Sequence, residues 1–413
     1  MKIVKVWIAL LLVLVMMSSG ADIAAAPNGG HEQLLRAAFV RNGDLWLKAG
    51  NAEKKLVSGP LVRNPRWSFD GKWLAYTLGE AEQELWVLQL QTGQNSLVAV
   101  NVGKYFQWAP NDKLLAYQTK DRLQYVDVSM PDKPLGSAAA IDNFSWLPDG
   151  KGFFASSQSE LLPDGWTPIR LYQIPLGTLD DPRTYTTVHV LPAPSDDFFA
   201  VGTSIFKWSA DGRCIAFLAK PTASLSADSN MLCVISSDGV VFRTLDEMVN
   251  NPQWFSWAES GNRLAYIAGI GREATRNKQL KVLEVTSEKG AAYTPKGFVD
   301  QAFAWQDMQH IIVSRAKESK QEDDQHPPAY PYLVRVELNN GMQKHMTKPS
   351  RKQGAYNPVV LHSKLVWVRN DHTTASVIMA DIDGRHVVEW IKSIDQADSY
   401  YGQWDWPEVI TFY

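Results

Sequence analysis

Trp67-Ser68-Phe69-Asp70-Gly71-Lys72-Trp73-Leu74-Ala75-Tyr76 decides how this chain is read: an aromatic anchor, a tight polar turn, then a short apolar strand. An Asp-Gly pair between hydrophobic runs is turn chemistry, because glycine tolerates positive φ and the aspartate bonds its own following backbone. The figure returns with Trp108 (WAPNDKLLAY), Trp146 (WLPDGKGFFA), Trp208 (WSADGRCIAF), Trp257 (WAESGNRLAY) and, degraded, Trp305 (WQDMQHIIVS). One such strand pair is too small to bury its own apolar face, whereas stacked copies share a core. A period of about 40 to 50 residues is that of propeller blades. The six tryptophans read as structural wedges between packed sheets.

A second recurrent strand follows the anchors: ELWVLQLQTG (84–93), NMLCVISSDG (230–239), QLKVLEVTSEKG (279–290), YLVRVELNNG (332–341) and SVIMADIDG (376–384). Its alternating apolar residues mark a strand and its closing glycine an exit turn. A weaker fourth strand comes next, as at Asn95-Ser96-Leu97-Val98. A degenerate unit fits at Asn357-Pro358-Val359-Val360 with Leu365-Val366-Trp367-Val368. Residues 37–57 resemble the later strands of a blade that lacks its anchor, and in 403–413 Trp404 is followed at the usual distance by Ile410-Thr411-Phe412-Tyr413. The expected fold is all-β, a β-propeller of four-stranded antiparallel blades. Eight units are counted, with seven left open because two are degenerate. Strands from both ends of the chain are expected to share a blade, which closes the ring and removes an exposed edge.

The unit W-S-x-D-G-K-x-[IL]-A-[FY] followed by E-L-W-V-x-x-x-x-x-G resembles the PD40, or WD40-like, repeat of TolB-like β-propellers, over nearly the whole of 37–413. The resemblance implies the fold and, through TolB itself, protein partners in the cell envelope. It does not imply one activity, because such propellers serve in binding proteins and as modules of peptidases. Residues 26–36 read as a short leader where TolB proteins carry an α/β domain.

Lys2 and Lys5 precede the apolar run Val6 to Met17, which ends in small residues. That pattern is a Sec signal peptide, assigned to 1–25, with an uncleaved anchor as the alternative. No cysteine lies near the cleavage region, so the protein is expected to be secreted, periplasmic or envelope-associated without being a lipoprotein. With 41 Lys+Arg against 44 Asp+Glu and a net charge of −3, the chain offers no electrostatic case for nucleic acid.

The insertions 156–168, 219–229, 268–278, 315–331 and 369–375 all fall between second and third strands. Together with the connection 192–204 they are expected on one face of the disc, where a rigid scaffold usually displays its binding residues. Candidate contact residues there are Trp166, Asp197, Phe198, Tyr330 and His372, with Phe199 a further aromatic. The carboxylates Glu160, Asp164, Asp196, Asp197 and Asp371 are solvated loop charges unless two face each other at a defined separation. Cys214 and Cys233, on neighbouring strands of one repeat, are either a disulfide or buried thiols. The eight histidines are scattered without metal-ligand spacing, no G-x-S-x-G elbow is present, and neither metal nor cofactor is expected. The leading expectation is a monomeric, non-enzymatic binding or scaffolding propeller of the cell envelope, with another envelope protein or peptide as partner. The alternative is a carbohydrate-active or other hydrolytic propeller with a carboxylate pair on the loop-rich face.

Overall fold

The computed structural model describes residues 34–81, 83–120, 122–319 and 328–413. The expected signal segment lies outside them. From residue 35 onward the chain forms one unit of eight antiparallel blades arranged as a propeller ring.

Seven blades are built in chain order, each from a first, innermost strand outward. Their first strands are Val62–Trp67, Phe106–Trp108, Ile141–Trp146, Gly202–Thr203 with Lys207–Trp208, Phe255–Trp257, Phe298–Trp305 and Gly354–Leu361, in blades 1 to 7. Blade 8 is composite: Ile410–Phe412 is its innermost strand, followed outward by Arg36–Arg41, Asp44–Ala49 and Ala52–Val57. The chain therefore closes its ring with strands from both ends, as expected. The expected position of Trp404 is corrected. Trp404 lies in a separate two-stranded hairpin, Ser399–Tyr400 with Gln403–Trp404, and Ile410 to Phe412 form a first strand, not a second. Thr411 takes the place of the residue before an anchor, because its carbonyl accepts the Trp67 indole N–H at 3.5 Å.

The polar turns between first and second strands follow their sequence chemistry. In blade 1 the Asp70 carboxylate accepts from Ser68 Oγ and from the Lys72 N–H, Ser68 Oγ accepts from the Trp73 N–H, and Gly71 stands at φ +62°. Blade 4 repeats the arrangement with Ser209, Asp211, Gly212, Arg213 and Cys214. Gly71 also lies against the closure. A Cβ there would sit 2.3 Å from the Arg36 guanidinium, whose carbon lies 4.8 Å from the Trp67 ring centroid and 4.3 Å from that of Tyr413.

The anchors do more than wedge. Each indole N–H reaches back to the preceding blade and donates to the carbonyl of the residue before that blade's own anchor. Trp108 donates to Arg66 (3.0 Å), Trp146 to Gln107 (3.1 Å), Trp257 to Lys207 (2.7 Å) and Trp305 to Ser256 (3.2 Å). The same intervening residues reach forward. Arg66 donates to the Phe106 carbonyl, Gln107 to that of Phe144 and Lys207 to that of Phe255, while Ser145 Oγ accepts from the Phe206 N–H. The phenylalanines so held are buried. A tryptophan fits because it combines a large apolar body with one donor that needs a partner when buried. Trp208 is the exception: its indole N–H is buried without a partner among the described residues, and its strand is interrupted over 204–206.

Cys214 and Cys233 are both free thiols. Their strands pair, but Cys214 lies opposite Ser236 and Cys233 opposite Phe217, so the register sets the two apart and rules out the disulfide. Cys233 is buried in the core, and burial pushes its thiol up to about 12.

Candidate functional site

The connections between second and third strands and between blades lie at one end of the disc and bond to one another. Arg272 pairs with Asp228 across blades 5 and 4, Ser319 N–H donates to the Thr275 carbonyl across blades 6 and 5, and Tyr330 Oη donates to the Asp371 carbonyl across blades 6 and 7. The segment 395–409, between the last strand of blade 7 and Ile410, ties into this end from several sides. Asp405 takes an ion pair from Lys104 Nζ at 3.1 Å and a bond from Gln253 Nε2 at 2.7 Å. Those partners belong to the connections between blades 1 and 2 and between blades 4 and 5. The hairpin tip holds Ala274 through the Tyr401 carbonyl and Arg272 through Gln403. Segment 395–409 thus joins opposite sides of the ring.

Two cavities, of about 450 and about 540 Å³, open at this end. They share two residues, Asp142 and Lys220. The smaller is completed by Tyr400 and Gln403 of the hairpin, with Ser226 and Asn250; the larger by Gln83, Asn101, Tyr105, Gln118 and Lys120.

Asp142 is placed by a β-bulge. It lies between Ile141 and Asn143, where the first strand of blade 3 slips register against the second. Such bulges re-aim a side chain out of the ladder. Gln118 donates to the carbonyls of Ile141 (2.7 Å) and Asp142 (3.2 Å), and Asn143 to that of Thr203. The Asp142 carboxylate accepts from the Thr203 N–H at 2.7 Å, across the junction of blades 3 and 4. Gly202 permits that approach: a Cβ there would stand 3.1 Å from Asp142 Oδ2. Gly202 is also paired with Lys220, the last residue of the neighbouring strand, which fixes the lysine beside the carboxylate.

Burial raises the Asp142 pKa above its ordinary value, while the Lys220 charge and the Thr203 bond pull it back. The contrast with Asp300, fully buried on the inner strand of blade 6, is informative. Asp300 is held by Arg315 through two bonds of 2.7 Å and by Thr294, a closed structural pair. Asp142 has no ion pair within 4 Å among the described residues and lines both cavities.

The sequence-selected residues are distributed differently. Phe198 is buried, edge-on to Phe242 at 5.9 Å, and belongs to the core. Asp197, Asp196, Glu160 and Asp164 are exposed and line neither cavity. Trp166 is half-buried in a small hairpin with Leu161. Asp371 is a turn residue, its carboxylate accepting from the Thr373 and Thr374 N–H groups. Tyr330 and His372 do meet, with ring centroids 4.9 Å apart, and His372 extends the contact to Trp404 and to Tyr356 Oη. Sequence reading passed over Asp142, Lys220 and the hairpin. One signal was available for the inner strands: F-x-W recurs at Phe106, Phe144, Phe206, Phe255 and Phe303, and two residues before Phe144 stands the acidic Asp142 where the other copies have Lys104, Ser204, Gln253 and Gln301.

No protein-family model matches the chain, and no curated protein matches it in sequence. Solved structures do match. A puromycin hydrolase mutant complexed with PGG is similar at 15% identity and a TM-score of 0.52, over 83% of this chain and 55% of that one. A puromycin-hydrolyzing peptidase of Mycobacterium tuberculosis gives 15%, 0.50, 88% and 54%. A eukaryotic initiation factor gives 13%, 0.54, 87% and 86%. At these identities the likeness establishes the fold. The chain spans about half the length of the hydrolases it matches. The leading expectation of a non-enzymatic scaffold is corrected here. The structural neighbours that recur are puromycin hydrolases.

Proposed function

We propose that this chain is a hydrolytic propeller enzyme whose substrate lies across Asp142 in the two cavities at the loop end. The observation that carries the reading is a bulge-placed carboxyl, raised in pKa by burial, standing between two cavities beside an ammonium group. A carboxyl shifted upward is poised to give a proton and to take one back. In the proposed step neutral Asp142 protonates the leaving group as its bond to the substrate carbon breaks. Water bonds to that carbon, and its surplus proton returns to the Asp142 carboxylate. Lys220 stabilises the negative charge that appears between these events. The carboxylate pair expected from sequence is replaced by this carboxyl and lysine, since no second carboxylate among the described residues lines either cavity.

The repeat pattern supports kinship with TolB-like propellers, and the basic and apolar start of the sequence supports export; N-terminal sequencing of the protein recovered from an envelope fraction tests the latter. Activity is tested with purified protein on aminoacyl amides, including puromycin, on dipeptide amides and on aryl glycosides. Turnover of one class is expected, and Asp142→Asn is expected to lower it by about 10²-fold or more with an unchanged urea midpoint. Absence of turnover on every class, or a fully active Asp142→Asn, overturns the proposal.

A further inference from the structure

The cations at the loop end fall into two groups. Lys104 is paired with Asp405, Arg272 with Asp228 and Tyr401, Lys278 donates to three carbonyls, and Lys207 to two. These four are structural. Lys120 and Lys220 are not engaged in this way: among the described residues neither has an ion-pair or hydrogen-bond partner for its ammonium. Both line the larger cavity. The other side chains around them that carry donors are the Tyr105 hydroxyl and the amides of Gln83, Asn101, Gln118 and Asn143, the last two spent on backbone carbonyls, and the one described carboxylate is Asp142.

Lys120 is exposed at a tight turn. It sits at φ +54°, in the left-handed region, at the turn joining Leu114–Thr119 to Arg122–Asp127. Two ammonium groups without a hydrogen-bond or ion-pair partner among the described residues, with a phenol and primary amides around a cavity of about 540 Å³, make an oxyanion receptor, since charge-assisted bonds to carboxylate or phosphate are about twice as strong as neutral ones.

We propose that the larger cavity receives an oxyanion of the substrate, a carboxylate or a phosphate, between Lys120 and Lys220. The inference rests on the hydrolytic reading only for the word substrate; the anion site itself is a matter of binding. It would place the anionic group on the blade 1–blade 2 side of Asp142 and leave the smaller cavity, with its uncharged Ser226, Asn250, Tyr400 and Gln403, for the other side of the scissile bond.

Isothermal titration on the intact chain at low salt tests it with paired probes: trialanine against trialanine amide, glucuronate against glucose, and inorganic phosphate alone. At least one anion is expected to bind, at least tenfold tighter than its neutral counterpart, and the arm that binds identifies the source as a peptide terminus, a sugar acid or a phosphate. Lys120→Gln and Lys220→Gln should each weaken that binding by fivefold or more. Equal affinity for acid and neutral probe, unchanged binding in both lysine variants, or no anion bound at millimolar concentration overturns the site. Asp142→Asn separates the two readings. If it hydrolyses as well as the wild type while the lysine variants still lose the anion, the hydrolytic assignment fails and the anion site stands.

Discussion

Glu408 offers a sharp test of the interactions that seat segment 395–409. It is almost fully buried, with its carboxylate 3.1 Å from Arg63 Nε and accepting from the Asp398 N–H. Burial and the like charges of Asp398 and Asp405 raise its pKa from 4.5 to about 7, outweighing the pull of Arg63, which also serves Asp395 at 3.7 Å. The folded protein thus binds a proton that the unfolded chain releases near pH 4.5. The associated stability is fully present below that pH and is lost as the pH rises through about 7. The shift corresponds to a ceiling of about 3 kcal/mol, and to roughly 1–2 kcal/mol once solvent screening is allowed for. Glu408→Gln removes the titration but leaves a group of the same shape. Urea midpoints of wild type and variant at pH 5 and pH 8 give a double difference in which any pH-independent cost of the substitution cancels. Wild type should lose roughly 1–2 kcal/mol more than the variant between those pH values. Parallel losses, within about 0.5 kcal/mol, would refute the raised pKa and the crowding of carboxylates behind it.

Trp257→Phe should cost about 1–2 kcal/mol beyond the change in ring size, because it strands the Lys207 carbonyl, whereas Trp208→Phe should cost less, having no indole bond to lose; urea midpoints compare them. Deleting 410–413 removes the innermost strand of blade 8 and should yield aggregates or a non-cooperative melt, seen by size-exclusion chromatography and calorimetry. Gly202→Ala should press on the Asp142 carboxylate and lower turnover at least tenfold, with a stability loss below about 1.5 kcal/mol.

The blades were legible because their information is local. A Ser-x-Asp-Gly turn and an alternating strand announce themselves within ten residues, and so does the unanchored start at 37–57. Trp404 misled because an aromatic residue at the right distance from Ile410 imitates an anchor, and only pairing with Ala37 to Phe39 shows which strand Ile410 begins. Phe198 and Tyr330 look alike in sequence as loop aromatics; one turns into the core and the other onto His372, a choice made by tertiary packing. The candidate site was the least legible part. Asp142 acquires its chemistry from Thr203 and Lys220, 61 and 78 positions away, through a register slip that leaves no mark in composition.

The missing indole bond of Trp208 has a mechanical consequence. Blades 3 and 4 meet where the back-reaching donor is absent, so that boundary depends on the Ser145–Phe206 bond, the Ser156–Thr203 hydroxyl contact and the grip of Asp142 on the Thr203 N–H. The group assigned to proton transfer is therefore also one of the contacts that hold blades 3 and 4 together. Because the Thr203 N–H is held by the carboxylate that lines both cavities, amide exchange at Thr203 should report, from the backbone, on what occupies them.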